Sequence, residues 1–72
     1  MQTLQIKDEF IKLGQALKLS NLVESGIDAK LVIQDGLVKV NGQKELQRGK
    51  KLRDEDIFEF NGQEIKIKGN LL

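Results

Sequence analysis

The fold of this chain is decided by residues 25–42, which read SGIDAKLVIQDGLVKVNG. The first half of this stretch predicts a helix that begins at Ser25, a preferred N-cap residue, with Asp28 three positions on in a capping-box-like arrangement. Gly36 stands where the end of a helix favours a left-handed residue. The predicted buried stripe of this helix comprises Ala29, Val32 and Ile33.

After Gly36 the period of the apolar residues changes to two. Val38 and Val40 alternate with Lys39, which predicts a strand. The dipeptide Asn41-Gly42 follows and is a strong signal for a hairpin turn. Residues 25–42 therefore predict a helix that leads directly into a β-hairpin.

Two further elements are predicted on the N-terminal side. Alternation over Thr3–Ile6 predicts a short edge strand. Asp8 is predicted to cap a first helix that runs to about Leu19, where Ser20-Asn21 interrupts the pattern. The apolar face of this first helix is expected to hold Phe10, Leu13, Gly14 and Leu17.

On the C-terminal side the pattern is that of strands. A loop over residues 43–49 leads into Lys50-Lys51-Leu52. Alternation over residues 58–60 and 65–68 predicts two strands that are joined by a second hairpin turn at Asn61-Gly62. Residues 69–72 are expected to form a loose tail.

These elements predict an α+β fold in which two short helices pack against a small antiparallel sheet. A chain of 72 residues is long enough for one domain. We therefore expect a single domain over residues 1–72, with its core at about residues 9–60. Its stability should be modest because so short a chain buries only about 60% of its unfolded surface.

Charge is distributed unevenly along the chain, although the net charge is only +1. Residues 39–53 contain six cations and one anion, whereas residues 54–64 contain five anions and no cation. A nearly neutral protein can still present a concentrated positive patch, since the field depends on where the charges lie. The basic segment is either a solvated loop or a surface that binds phosphates.

Catalysis has little support in the sequence, so we expect no enzyme activity, no cofactor and no metal. Histidine and cysteine are absent, which removes the commonest general base and the usual zinc ligands. Ser20 and Ser25 both stand at positions typical of helix caps. The acidic residues 54–56 lack the ligand spacing of a calcium loop and are better interpreted as a turn before a strand.

No apolar run in the sequence reaches the roughly 18 residues that a membrane-spanning helix needs. The charged residues 7–9 also do not fit a secretory signal. We therefore expect a cytoplasmic protein with no membrane partner.

Lysine and arginine neutralise nucleic-acid phosphates, and this interaction supplies most of the affinity that does not depend on sequence. Aromatic residues for stacking on bases are scarce, since Trp and Tyr are absent and the three phenylalanines stand on apolar faces. The chemistry therefore favours recognition of structured RNA by shape and phosphate contacts over base-by-base recognition.

The sequence resembles the S-four-like RNA-binding domain, whose core of two helices and a hairpin is called the αL motif. The resemblance rests on residues 25–30 and 33–42, and on two phrases shared with small stand-alone bacterial members, residues 13–19 (LGQALKL) and 48–52 (RGKKL). It implies non-catalytic binding to structured RNA, ribosomal or tRNA-like, and association with the ribosome. It implicates Lys30, Lys39, Arg48, Lys50 and Lys51, and Lys44 and Arg53 of the basic segment complete the predicted RNA-binding set.

Three segments depart from the family's pattern. Lys12-Leu13-Gly14 stands where many members have Arg-Leu-Asp, and Ser25-Gly26 stands where Ser-Arg is common. Glu55 occupies a position where a glycine commonly precedes Asp56. The helix side of the expected RNA groove is therefore short of arginine, and Lys30 is its best candidate cation.

The leading hypothesis is a monomeric adaptor that binds structured RNA through the second helix, the hairpin and the basic loop. The alternative is a protein-interaction module that keeps the fold without binding RNA. The acidic stretch over residues 54–64 motivates this alternative, since complementary charge patches can also steer a protein partner.

Overall fold

A computed structural model describes residues 1–69 of the chain. Within this range two strands precede two helices, and five strands follow them. The elements are β1 (Gln2–Gln5), β2 (Ile11–Lys12), α1 (Leu13–Leu19), α2 (Gly26–Gln34), β3 (Val38–Val40), β4 (Gln43–Lys44), β5 (Lys51–Leu52), β6 (Ile57–Phe60) and β7 (Gln63–Lys68).

Helix α2 forms as the sequence predicts. The Ser25 hydroxyl accepts a hydrogen bond from the Asp28 backbone N–H at 3.2 Å, which satisfies one of the donors that the first turn leaves unpaired. Ala29 and Ile33 are fully buried, and Val32 packs against the core. Gly36 ends this segment with a φ of +77°, the left-handed conformation expected there.

Helix α1 begins later than predicted, and the prediction that Asp8 caps it is wrong. Its N-cap residue is Lys12, and Ile11–Lys12 form a short strand antiparallel to Lys51–Leu52. The first two helical N–H groups need acceptors, and here they find them in the backbone carbonyls of Lys50 and Arg48. Tertiary pairing therefore replaces the predicted Asp8 cap, and Phe10 lies outside the helix.

The main sheet has the strand order β1-β7-β6-β3-β4. Neighbouring strands in this sheet pair antiparallel, except that the edge strand β1 runs parallel to β7. Both predicted hairpin turns form, since Asn41-Gly42 and Asn61-Gly62 have two consecutive positive φ angles, as type I′ turns require. The α+β fold is confirmed, with the parallel β1 added to an otherwise antiparallel sheet.

A second sheet of two strands joins β2 to β5. The predicted loop over residues 43–49 is shorter than expected, because its first two residues form β4 and pair with β3. Five strands therefore follow α2, and the sequence pattern missed the two-residue strands because so short a segment has no period of its own.

One core cluster connects the helices with both sheets. Its largest fully buried side chains include Leu13 and Leu17 of α1, Leu52 of β5, and Phe58 of β6. The Gly69 N–H donates to Asp54 Oδ1 at 2.9 Å, so the first residue of the predicted loose tail is tied to a turn. The other three residues of that tail lie outside the described residues. Within residues 1–69, neither helix is long and apolar enough to cross a membrane.

Candidate nucleic-acid interface

The basic segment is fixed to the start of α1 by backbone hydrogen bonds. The Leu13 N–H donates to the Lys50 carbonyl at 2.8 Å, and the Gly14 N–H donates to the Arg48 carbonyl at 3.1 Å. Lys12 also stands directly opposite Lys51 in the β2–β5 pair. These contacts hold residues 48–51 as a wall beside α1.

Gly14 allows the Arg48 side chain to pass close to the helix. A Cβ atom at Gly14 would lie 2.6 Å from Arg48 Cγ and 3.2 Å from Cδ, which is too close for an unstrained contact. The glycine that departs from the family's usual aspartate therefore makes room for the arginine stem. The stem of the Arg48 side chain is thereby held against α1, and Arg48 as a whole remains exposed to solvent.

An open groove of about 400 Å³ lies between this wall and the helices. Its charged lining residues are Lys12, Lys18 and Arg48, and no carboxylate is among the residues that line it. Gln15, Gly14, Gly26 and Gly49 complete the lining. The groove is therefore a positively charged channel of the kind that accepts a phosphate backbone.

Lys12 and Lys18 were not in the predicted RNA-binding set. They flank Gln15 at steps of three, so all three residues lie on one face of α1, opposite its buried leucines. That spacing is a signal that the sequence contains. It was missed because the local charge density of residues 39–53 drew the prediction toward the loop.

The predicted cation on the helix side, Lys30, does not line this groove. It lies one turn after Gly26 on the same face of α2, and it is exposed. Lys30 therefore extends the helix side beyond the groove, whereas Lys12 and Lys18 form the wall that faces Arg48.

Lys39 and Lys44 lie farther along the hairpin, as a directly opposed pair between β3 and β4. The Lys44 side chain crosses Gly36, with its Nζ 3.4 Å from where a Cβ would lie. Helix α2 has no basic residue in its last turn, so Lys44 supplies a cation at the C-terminal end. Lys39 has Glu59 as its other cross-strand neighbour, which offsets part of its charge.

Lys51 and Arg53 both lie over the ring of Phe10. The Lys51 Nζ lies 4.7 Å from the centre of the ring, and the Arg53 Cζ lies 5.5 Å from it. Both distances are within the range of cation–π interactions. The expectation that Phe10 belongs to the core is wrong, since its residue is only half-buried and is not a member of the core cluster.

The acidic residues after Arg53 hold turns, as the sequence indicates. Asp56 Oδ2 accepts from the Arg53 N–H at 2.8 Å, and its Oδ1 accepts from the Asn41 side-chain amide at 3.0 Å. Glu55 forms an ion pair with Lys68 at 2.8 Å. This hydrogen bond and the charge of Glu55 raise the pKa of Lys68. No cluster of three or more potential metal ligands occurs within residues 1–69.

Comparison with known proteins identifies the family that this chain resembles. The family model of the S4 domain matches residues 4–68. A relative from Bacillus subtilis (strain 168), named "probable ribosome maturation protein RlbA", is 39% identical over 59 residues, which cover 82% of this chain and 83% of the relative.

Two solved structures share the fold. The solution structure of YbcJ from E. coli, described as revealing an αL motif involved in RNA binding, is 32% identical with a TM-score of 0.72, and the match covers 94% of this chain and 87% of that one. The 30S ribosomal protein S4e from Thermoplasma acidophilum is 26% identical with a TM-score of 0.60, and the match covers 79% of this chain but 30% of that one. Since the family model spans nearly all of the sequence, this chain belongs to the S4 domain family.

Proposed function

We propose that this chain is a non-catalytic, monomeric module that binds structured RNA, ribosomal or tRNA-like, in the cytoplasm. The observation that carries the proposal is the groove between α1, α2 and the basic loop, whose charged lining residues are three cations and no carboxylate. The S4 domain over residues 4–68 is then its one RNA-binding unit. The names of its relatives, which refer to ribosome maturation, RNA binding and the ribosome, support this substrate class.

The packing of the cations supports the same function. Lys12 and Lys51 are directly opposed across the β2–β5 pair, an arrangement of like charges that costs stability. A bound phosphate between two such lysines would turn this repulsion into attraction. The fold therefore holds these two cations close together, and a bound polyanion would offset the repulsion between them.

The RNA-binding residues that we propose fall into two groups. The central group lines or adjoins the groove and comprises Lys12, Lys18, Lys30, Arg48, Lys50 and Lys51. The outer group comprises Lys39, Lys44 and Arg53. Each of these side chains already has a neighbour within the protein: Glu59 for Lys39, Gly36 for Lys44 and Phe10 for Arg53. We expect the central group to contribute more of the affinity.

Filter binding to a structured RNA over a series of salt concentrations tests this proposal. Four to six phosphate contacts predict a log–log slope of roughly −3 to −5. The double variant Lys12→Gln/Lys18→Gln should bind about tenfold more weakly and reduce the slope by about 2, because two phosphate contacts are lost.

The matched control is Lys66→Gln/Lys68→Gln on strand β7. It also removes two positive charges, but at positions that do not line the groove. It should leave the affinity within about threefold of wild type. Affinity that does not depend on salt, or equal losses in both double variants, would contradict the proposed groove.

A protein partner is a second candidate function, and one observation favours it. Ile27 and Leu31 of α2 are 71% and 52% exposed and lie one turn apart on the same helix face. A pull-down from nuclease-treated lysate separates the two functions. A partner that persists without RNA, and is lost in Ile27→Ser/Leu31→Ser but kept in the groove variant, would favour the protein module.

A further inference from the structure

A second open groove, of about 480 Å³, lies between α1 and the segment that joins β1 to β2. Its apolar lining residues include Phe10, Ile11 and Leu19, and the amides of Gln5 and Gln15 also line it. Leu19 is 62% exposed, and Phe10 is half-buried, so this groove brings apolar and aromatic groups to the surface. The groove therefore offers an apolar wall together with hydrogen-bonding groups.

The two grooves adjoin along α1. Gln15 and Lys18 line both of them, so the exposed face of this helix forms part of each groove. An RNA backbone that follows Lys12, Lys18 and Arg48 would therefore run beside the second groove. A nucleotide of that strand could reach it without a second binding event.

The second groove is less basic than the first. Its charged lining residues are Lys7, Lys18 and Asp8, so it contains a carboxylate, whereas the basic groove is lined by three cations and no carboxylate. A carboxylate repels phosphate but accepts hydrogen bonds from the amino groups of bases. Amide side chains such as Gln5 and Gln15 both donate and accept hydrogen bonds, as the edge of a base requires.

Phe10 is positioned as a stacking surface. Lys51 and Arg53 contact its ring from the basic segment, yet neither residue lines the second groove. Phe10 therefore links the two cations of the basic segment to the lining of the second groove. Bases stack on aromatic side chains of single-strand binders, and nearby cations hold the backbone.

We propose that the second groove binds one unpaired nucleobase of the RNA, stacked against Phe10. The preferred substrate is then an RNA helix with a bulged or junction nucleotide, whose phosphates lie in the basic groove. This inference rests on the proposed RNA binding and names the class of RNA. It also gives a role to an aromatic residue that the sequence pattern assigns to the core.

The experiment compares two RNA hairpins that differ only in one bulged nucleotide. Wild-type protein should bind the bulged hairpin about tenfold more tightly than the fully paired one, as expected for one stacked base. Phe10→Leu, which keeps an apolar side chain without the aromatic ring, should weaken binding to the bulged hairpin more than binding to the paired one, so that the ratio of the two affinities falls to about one. Phe10→Trp should retain the preference, and circular dichroism should show that both variants are folded.

A second measurement needs no variant. With 2-aminopurine at the bulged position, stacking against Phe10 should quench the fluorescence on addition of wild-type protein, and Phe10→Leu should not quench it. Equal affinity for the two hairpins, or no quenching by wild type, would overturn the proposed base site. Salt-dependent binding to the paired hairpin would then still stand, so failure of the base site is distinguishable from failure of RNA binding itself.

Discussion

At the scale of single residues, Glu55 shows how a position can keep a glycine-like backbone without glycine. Its φ is +74°, in the left-handed region that costs an ordinary residue about 1–2 kcal/mol. The resemblance to S-four-like domains implies a glycine at this position, and the turn keeps a glycine-like conformation here. The ion pair of Glu55 with Lys68 offsets part of the cost, but both side chains are exposed, so the pair is weak.

Glu55→Gly should therefore raise the free energy of unfolding by up to about 1 kcal/mol, since the relieved strain exceeds the lost ion pair. Glu55→Gln is the matched control, because it loses the ion pair and keeps the strain, and it should be slightly less stable than wild type. Urea unfolding followed by circular dichroism measures both. A glycine variant less stable than the glutamine variant would show that the turn is not strained.

At the scale of elements, the start of α2 offers an unused position for a cation. Gly26 is the first helical residue and lines the basic groove, and a Cβ added there would meet no atom within 4 Å. The family's common arginine at this position is absent. The structure therefore has space for the side chain that the sequence lacks.

Gly26→Arg should increase affinity for structured RNA by about three- to tenfold and steepen the salt slope by about 0.9, the value for one added phosphate contact. Gly26→Ala is the control, because it changes the backbone preference of the helix and adds no charge. Its RNA affinity should equal that of wild type in the same filter-binding series. An equal gain in both variants would point to helix stability as the cause, and no gain in the arginine variant would remove Gly26 from the RNA-binding surface.

At the scale of the whole molecule, the basic segment is anchored by the core and is not an independent flap. Leu52 of the two-residue strand β5 is fully buried and belongs to the same cluster as the helices and the main sheet. A small domain has a total stability of only about 5–10 kcal/mol, so each large core residue carries a considerable share. The wall of the groove and the global fold should therefore unfold together.

Leu52→Ala should lower the free energy of unfolding by about 2–5 kcal/mol, the usual cost of such a truncation in a core. Leu37→Ala is the matched control, since Leu37 is 56% exposed, and it should change stability by less than about 0.5 kcal/mol. Thermal unfolding followed by circular dichroism reports on the helices and the main sheet. Equal effects of the two substitutions would show that β5 is a local flap.

The sequence by itself determined the elements whose signals are local. Ser25 and Gly36 bound α2, the two Asn-Gly turns define the hairpins, and alternation identifies the strands that they join, because capping and turn chemistry act between residues a few positions apart. The α+β class and the family followed from these elements. The uneven charge pattern also indicated residues 39–53 as a candidate binding surface.

Only the tertiary structure decided where α1 begins and which cations face one another. The start of α1 depends on the carbonyls of Arg48 and Lys50, more than thirty residues away, so Asp8 could not predict it. The same packing brings Lys12 and Lys18 to Arg48, and it leaves Phe10 half-buried beneath Lys51 and Arg53. Backbone donors and charged side chains are satisfied by whatever the fold places beside them, and no local pattern records that placement.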